Sequence, residues 1–436
     1  MRSDAGALPV AIVGGGFSGT MTAVQLARRG VRSVLLDGSG RMHRGVAYAT
    51  TEPAHLLNVP SGKMSAWPDR GADFSGWLGD DGTSFAERRA FGRYLAEIAA
   101  EHAETIERRD ASAVAARPSE GGWSVEIRDG TRLAASAMVL ASGNQPPAPM
   151  QVAEGLPAGQ FVNNPWSEEA HEVVARVAAG GGDVLILGTG LTMIDTMLSL
   201  AAAGHRGRVM TLSRRGLVPR THAAHQPVAA SLDEVPRGKV LPLWRWLRRR
   251  SAEVGFRAAV DSLRPYSQAL WRAFPAAEQR RFLRHARPWW DVHRHRIAPQ
   301  IGQQLTARIA DGGLEIVAGR LKSLDADDDG LAATIMPRGG TGPLHRRFAA
   351  AFNCTGPLGD LTRSRDPLLR QMLGDGLVRV DELRMGLAVD QRSRAGRRAW
   401  AVGPLTKGCF WEIVAVPDIR GQAEAVAADI VRELTR

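Results

Sequence analysis

Two glycine-rich turns, each following a short apolar strand, hold the residues whose types and spacing suit chemistry. The first is Val10-Ala11-Ile12-Val13-Gly14-Gly15-Gly16-Phe17-Ser18-Gly19; the second, Asp183-Val184-Leu185-Ile186-Leu187-Gly188-Thr189-Gly190, comes about 170 residues later. In the first, Gly14 permits a tight turn, Gly16 lets backbone approach a pyrophosphate, and Gly19 allows close helix–strand packing. Phe17 and Ser18 stand among the glycines as further cofactor-binding candidates, and the helix expected over Thr20–Arg29 aims its free N–H groups at the phosphates. The next strand, Val31–Leu36, ends in Asp37. An acid there suits the 2′-hydroxyl of an adenosine ribose and repels a 2′-phosphate, so this turn is expected to take FAD or NAD.

The second copy differs where the chemistry differs. Leu191 and Thr192 follow Gly190, and Met193 replaces the third glycine. The next strand, Arg208–Leu212, runs into Ser213-Arg214-Arg215. A hydroxyl and two guanidiniums invert the electrostatics set by Asp37 and favour NADPH, because arginine reads phosphate with forked hydrogen bonds. A vestigial unit with a solvated arginine pair is the competing reading. Two dinucleotides held together suit electron transfer between nicotinamide and flavin.

Between and after these turns lie further candidates. The irregular stretch Gly38–Asp69 is too long for a connector, and long ordered loops in α/β domains are usually functional. Asn58 and Lys63 are its residues best suited to reach a flavin ring, against the alternative of a loop without ligand contact. Ala141-Ser142-Gly143 brings small residues close to the cofactor again, and Gly403-Pro404 does so near the C-terminus. Phe410-Trp411-Glu412 then leads to a helix over Pro417–Leu434 whose N-terminus suits negative charge on a reduced flavin. In Trp289-Trp290-Asp291-Val292-His293-Arg294-His295-Arg296, Arg294 and His295 are candidate substrate contacts; interdomain salt bridges are the equal alternative.

The elements that must position these residues can be read from pattern. With 436 residues, 44% of them hydrophobic, the chain is long enough for two or three lobes with their own cores. The expected fold class is α/β, with two Rossmann-like dinucleotide-binding domains and a helical insertion. Residues 1–170 form the first part of a split FAD-binding domain and 346–436 its second part. Residues 171–221 and 309–345 form the NADPH-binding domain, and 222–308 a helical insertion that lids the substrate. Expected elements include a helix over Phe85–Glu107 and strands Trp123–Ile127, Arg132–Leu140, Leu314–Leu321 and Ala332–Pro337. In the insertion, helices are expected over Leu241–Phe256, Ala259–Phe274, Glu278–His285 and Val292–Ala307, punctuated by prolines.

Charge and cysteine content narrow the partners. Only Cys354 and Cys409 are present, which excludes a disulfide framework or a CxxC dithiol. The paired histidines have no matching carboxylates, so no metal is expected. No apolar run spans a bilayer and only a short polar lead precedes the first strand, so neither membrane insertion nor a signal peptide is expected. A cytoplasmic location is the corresponding expectation. The net charge of +11 sits mainly in Arg214–Arg220, Arg245–Arg250 and Arg280–Arg296, interleaved with Trp and Leu. That pattern favours an acidic substrate, free or on an acidic carrier protein, over nucleic acid.

Together the first fingerprint, the Ala-Ser-Gly-Asn turn and the second Gly-Thr-Gly resemble the flavoproteins with two dinucleotide-binding domains. Gly188–Asp195, Ser213–Gly216, His55–Pro60 and Phe410–Glu412 further resemble a bacterial family of FAD/NAD(P)-binding proteins related to class B flavin monooxygenases. Ala141-Ser142-Gly143 is similar to the hinge motif of those enzymes, whereas Phe161–Trp166 lacks the His and Gly of the Baeyer–Villiger signature. The resemblance implies that NADPH reduces FAD, after which molecular oxygen, through a flavin C4a-hydroperoxide, oxygenates nitrogen, sulfur or activated carbon of a small molecule. A dehydrogenase or reductase without oxygenation is the alternative.

Overall fold

The computed structural model describes residues 8–327 and 330–436. Two largely parallel sheets form its frame, consistent with two Rossmann-like domains. The first has six strands, in the order Arg394–Gly396, Ala399–Ala401, Ala137–Leu140, Val10–Val13, Ser33–Leu36 and Ile106–Arg109. The second has seven: Leu344–Phe348, Gly330–Pro337, Leu314–Asp327, Val209–Ser213, Val184–Leu187, Ala350–Asn353 and Phe161–Val162. Each glycine turn follows an interior strand with a parallel neighbour on either side. Both strands are wholly buried, as two-sided helical cover requires.

Several expectations are corrected. Sequence places Ala350–Asn353 in the first lobe, but it pairs with Val184–Leu187 in the second sheet. The boundary expected at 346 therefore lies beyond Asn353. The strand is buried throughout, with Asn353 donating to the Ala148 carbonyl and Asn163 Oδ1, and the interior of the second sheet accommodates it. Phe161–Val162, also expected in the first lobe, pairs with Ala351 and Phe352.

The expected strand Arg132–Leu140 is two strands in different sheets, parted at Ser136, whose N–H donates to the Pro9 carbonyl (2.9 Å). Phe85–Glu107 shortens to a helix over Arg88–Ala100, and its end becomes the edge strand Ile106–Arg109.

The insertion is helical, as expected, with helices Val240–Val254, Phe256–Leu263, Ser267–Ala273 and Ala276–Arg281. The continuous helix expected over Val292–Ala307 is absent. One helix ends at Arg294 and the next starts at Pro299. Between them Ile297 bridges to Thr221, and its N–H donates to the Arg220 carbonyl. This long-range pairing interrupts a locally helical pattern. The insertion's core, including Leu263, Leu270, Trp271 and Phe282, closes over Trp411 from the C-terminal segment. No helix among the described residues is long and apolar enough to cross a membrane.

Candidate cofactor and substrate site

The first turn combines a tight glycine backbone with an uncapped helix N-terminus. Gly14 has φ +108°, and a Cβ there would lie 2.4 Å from the Ala141 carbonyl oxygen. A Cβ on Gly19 would lie 1.9 Å from the Gly14 carbonyl oxygen, so the helix and turn approach as only glycine allows. Gly16 caps helix Phe17–Ala27 without a side-chain hydrogen bond. The first-turn N–H groups at Phe17, Ser18 and Gly19 thus face an anion site. Asp37 Oδ2 accepts the Gly15 N–H (2.7 Å), and Oδ1 accepts the N–H (2.8 Å) and hydroxyl (2.5 Å) of Ser39. The turn itself therefore orients the acid.

The C-terminal loop completes this cradle. Gly403 has φ +75°, and a Cβ there would meet Ser18 Oγ at 2.3 Å. Its N–H donates to Gln422 Oε1 (2.7 Å), while Gln422 Nε2 donates to Ser393 Oγ and Thr406 Oγ1. Pro404 begins the single helical turn Gly403–Thr406. Gly143 also has positive φ and open space above it. Two buried polar atoms here have no partner among the described residues, Ser142 Oγ and His43 Nε2. Buried polar groups are ordinarily satisfied. The glycine cradle, the oriented acid and these unsatisfied atoms fit the adenosine and pyrophosphate of FAD.

The second turn repeats the backbone. Gly188 has φ +109°, and its Cβ would lie 2.2 Å from the Cys354 carbonyl oxygen. Gly190 caps helix Leu191–Ala202 without a side-chain bond and has open space around it. Leu191 and Thr192 form that helix's first two positions. Ser213 Oγ accepts from Thr189 Oγ1 (2.9 Å) and from the Gly216 N–H (3.0 Å), fixing the turn after the second strand. Arg214 is exposed and Arg215 half-buried, and neither has an ion pair among the described residues. Two uncommitted guanidiniums beside an uncapped helix fit the 2′-phosphate and pyrophosphate of NADPH.

Between the lobes the structure regroups the remaining candidates. The Asn58 carbonyl accepts from His222 Nε2 (3.0 Å), tying the loop to the insertion. Burial holds the His222 pKa down to about 4, so the ring is a neutral donor. Lys63 ends the turn Ser61–Lys63, is exposed, and lines a cleft of about 730 Å³ with Arg264, Gln268, Arg272, Phe410 and Pro417.

Arg294 and Glu412, expected to serve substrate and cofactor separately, pair with each other at 3.3 Å; the side chains are 8% and 5% exposed. Trp290 Nε1 donates to the other Glu412 oxygen (2.6 Å). Trp411 stacks on Trp271 at 4.6 Å and 23°. The Phe410–Glu412 motif thus anchors the insertion to the C-terminal segment. His295 lies half-buried beside this pair; burial lowers its pKa, opposed by Glu412 and Asp291.

Sequence reasoning missed the contacts that fasten the lobes. Arg88 makes a two-pronged contact with Asp195 on the second fingerprint helix (2.9 and 3.0 Å). His55 Nε2 faces the Asp195 carbonyl (2.9 Å) and Ser199 Oγ (3.1 Å). Both His55 and Asp195 stand in motifs that the sequence singles out, but nothing local pairs residues so distant. Gln422, the hub beneath Gly403, left no sequence signal.

A protein-family model described as FAD-NAD(P)-binding matches residues 11–145. No curated protein sequence matches the chain. Among solved structures, the reduced form of ornithine hydroxylase (PvdA) from Pseudomonas aeruginosa aligns over 98% of this chain and 100% of its own, with TM-score 0.67 and 16% identity. Ornithine N-hydroxylase KtzI from Kutzneria sp. 744, with reduced FAD, NADP+ and L-ornithine, aligns over 98% and 99%, with TM-score 0.67 and 14% identity. Thioredoxin reductase from T. acidophilum aligns over 99% of each chain, with TM-score 0.54 and 14% identity. The chain therefore has the fold of flavin-dependent oxidoreductases, a fold that monooxygenases and reductases share.

Proposed function

We propose that the protein is an FAD- and NADPH-dependent monooxygenase that oxygenates a small molecule at nitrogen, sulfur or activated carbon. The observation that carries this reading is the pair of glycine turns, alike in backbone and opposite in the charge placed after the second strand. One presents the oriented carboxylate of Asp37, the other Arg214 and Arg215, which have no ion pair among the described residues. FAD, when bound, supplies two-electron oxidation of NADPH and activation of molecular oxygen. The chain's residues would do the rest. Gly14 to Gly19, Asp37, Gly143, Gly403 and Pro404 bind and orient FAD, and Gly188 to Thr192 with Ser213 to Arg215 bind NADPH.

The Arg88–Asp195 contact supports the arrangement, since it pins the second fingerprint helix to the first lobe. Asn58, held by His222, and Lys63 are the groups placed to orient the reacting region. Trp411, Glu412 and Arg294 keep the insertion seated, which would exclude water, and His295 is held beside them. Cys354 and Cys409 are both free, so the chain offers no dithiol relay, and a reducing, cytoplasmic setting suits them.

The test is to load purified protein with FAD, add NADPH and isotopically labelled dioxygen, and screen amines, thioethers and organic acids. One labelled oxygen atom in a product is the expected result. NADPH oxidation without incorporation into any product would instead identify a dehydrogenase or reductase.

A further inference from the structure

Beside the cleft, the helical insertion forms a second, half-open pocket of about 40 Å³. Its walls include Leu243, Leu247, Leu263, Leu270 and Phe274. Four tryptophans also line it, among them Trp271 and Trp290, whose indole N–H groups are already committed to the Gly408 carbonyl and Glu412. Ser267 is the one hydroxyl in the lining. A bound water needs two or more polar partners, which this lining does not offer, and the pocket's size admits roughly three water-sized groups. Covering such an apolar surface with an apolar group is favourable.

Ser267 also lines the cleft. Leu263, Ser267 and Leu270 stand at helical spacing on the cavity side, and Arg264, Gln268 and Arg272 on the cleft side. The small serine marks the shared edge. On the cleft side charge is in excess. Arg272 has no ion pair among the described residues, and Arg264 reaches Asp418 only at 3.9 Å.

We infer, building on the monooxygenase reading, that the substrate is an amphiphilic organic acid. Its anionic head lies against Arg264 and Arg272, and its short alkyl tail passes the Ser267 edge into the apolar pocket. The two compartments set the shape of the ligand: a charged end and an apolar end joined within a few bonds.

Calorimetric titration of FAD-loaded protein with straight-chain carboxylates, acetate to dodecanoate, tests this without turnover. Affinity should rise about fourfold per methylene over a window of roughly three carbons and then level off. Alkylammonium ions of equal length should bind at least about tenfold more weakly. Ser267→Phe should abolish the rise while short acids bind as before. Arg272→Gln should weaken all acids alike and leave the rise intact.

Should Ser267→Phe lose FAD, Leu247→Trp, at another lining position, fills the pocket and carries the same expectation. A flat series, a rise unaffected by closing the cavity, or equal binding of ammonium ions overturns the inference. A rise in a protein that incorporates no oxygen would sink the monooxygenase reading and leave this site standing.

Discussion

The two glycine turns share a backbone and part company in their surroundings. Gly14 and Gly188 take nearly the same φ, and each lies against a carbonyl just past the neighbouring strand of its sheet, at Ala141 and Cys354. The third glycine separates them. Gly19 packs on Gly14 with no room for a Cβ, whereas Met193 fills the equivalent place and is fully buried. The turn's geometry thus depends on its first glycine, and the third sets only how near the helix may come. In the function proposed above, the choice of ligand falls to Asp37 in one lobe and to Ser213, Arg214 and Arg215 in the other.

The largest expected effect breaks that symmetry directly. Gly19→Ala forces a methyl onto the Gly14 carbonyl and should cost about 3 kcal/mol or more, with loss of FAD-loaded protein. Gly190→Ala meets nothing within 4 Å and should leave thermal stability within about 0.5 kcal/mol. It should still raise the KM for NADPH, because a methyl keeps the phosphate away. Denaturation curves and FAD content check the first variant, and steady-state kinetics the second. Equal tolerance at both positions would mean that the turns are not built as described.

Next comes the pair Arg214→Ala with Arg215→Ala. Losing charge-assisted hydrogen bonds to a phosphate should cost about 3 kcal/mol, roughly a hundredfold in the KM for NADPH, with NADH little changed. Equal damage to both cofactors would make the pair structural. Asp37→Ala is the counterpart in the other lobe. It should weaken FAD by about 2 kcal/mol, read as the dissociation constant of the reconstituted protein. A variant that keeps full FAD affinity would show that Asp37 serves only Gly15 and Ser39.

Legibility in the sequence divides along the same line between local and distant causes. The strands Val10–Val13 and Val184–Leu187, their glycines and their helices obey rules that operate within a few residues, so their pattern can be read directly. Ala350–Asn353 is just as buried, but its sheet is chosen by a neighbour far away in sequence, and no local feature distinguishes the two lobes. The break after Arg294 has the same origin, since Ile297 pairs with the Arg220–Thr221 segment. Arg294 and Glu412 are each visible as unusual charges in aromatic company. Their partnership spans 118 residues, which spacing cannot reveal.

The subtlest expected difference concerns protons. Thr20 Oγ1 in the first fingerprint helix lies 3.3 Å from His43 Nδ1; Ile194, at the equivalent place in the second, offers no polar atom. Burial, reinforced by Arg108 and Arg44 against Asp37 and Asp110, lowers the His43 pKa from 6.5 to about 4. In the unfolded chain the ring takes up its proton near pH 6.5, while in the folded chain it resists until about pH 4. The unfolded state therefore binds more protons in that window. Stability is fully present above pH 6.5, falls progressively towards pH 4, and loses nothing further from this group below it. His222, lowered to about 4 by burial, adds a fall of the same sign. Asn accepts the left-handed conformation that His43 occupies, at φ 65°, so His43→Asn should preserve the turn and remove its titration while leaving those of the other buried histidines. Thermal midpoints from pH 7 to pH 4 should then fall less steeply than in the parent, with FAD release at low pH reduced in step. An unchanged slope would place the acid sensitivity away from the first turn and erase this last contrast between the two.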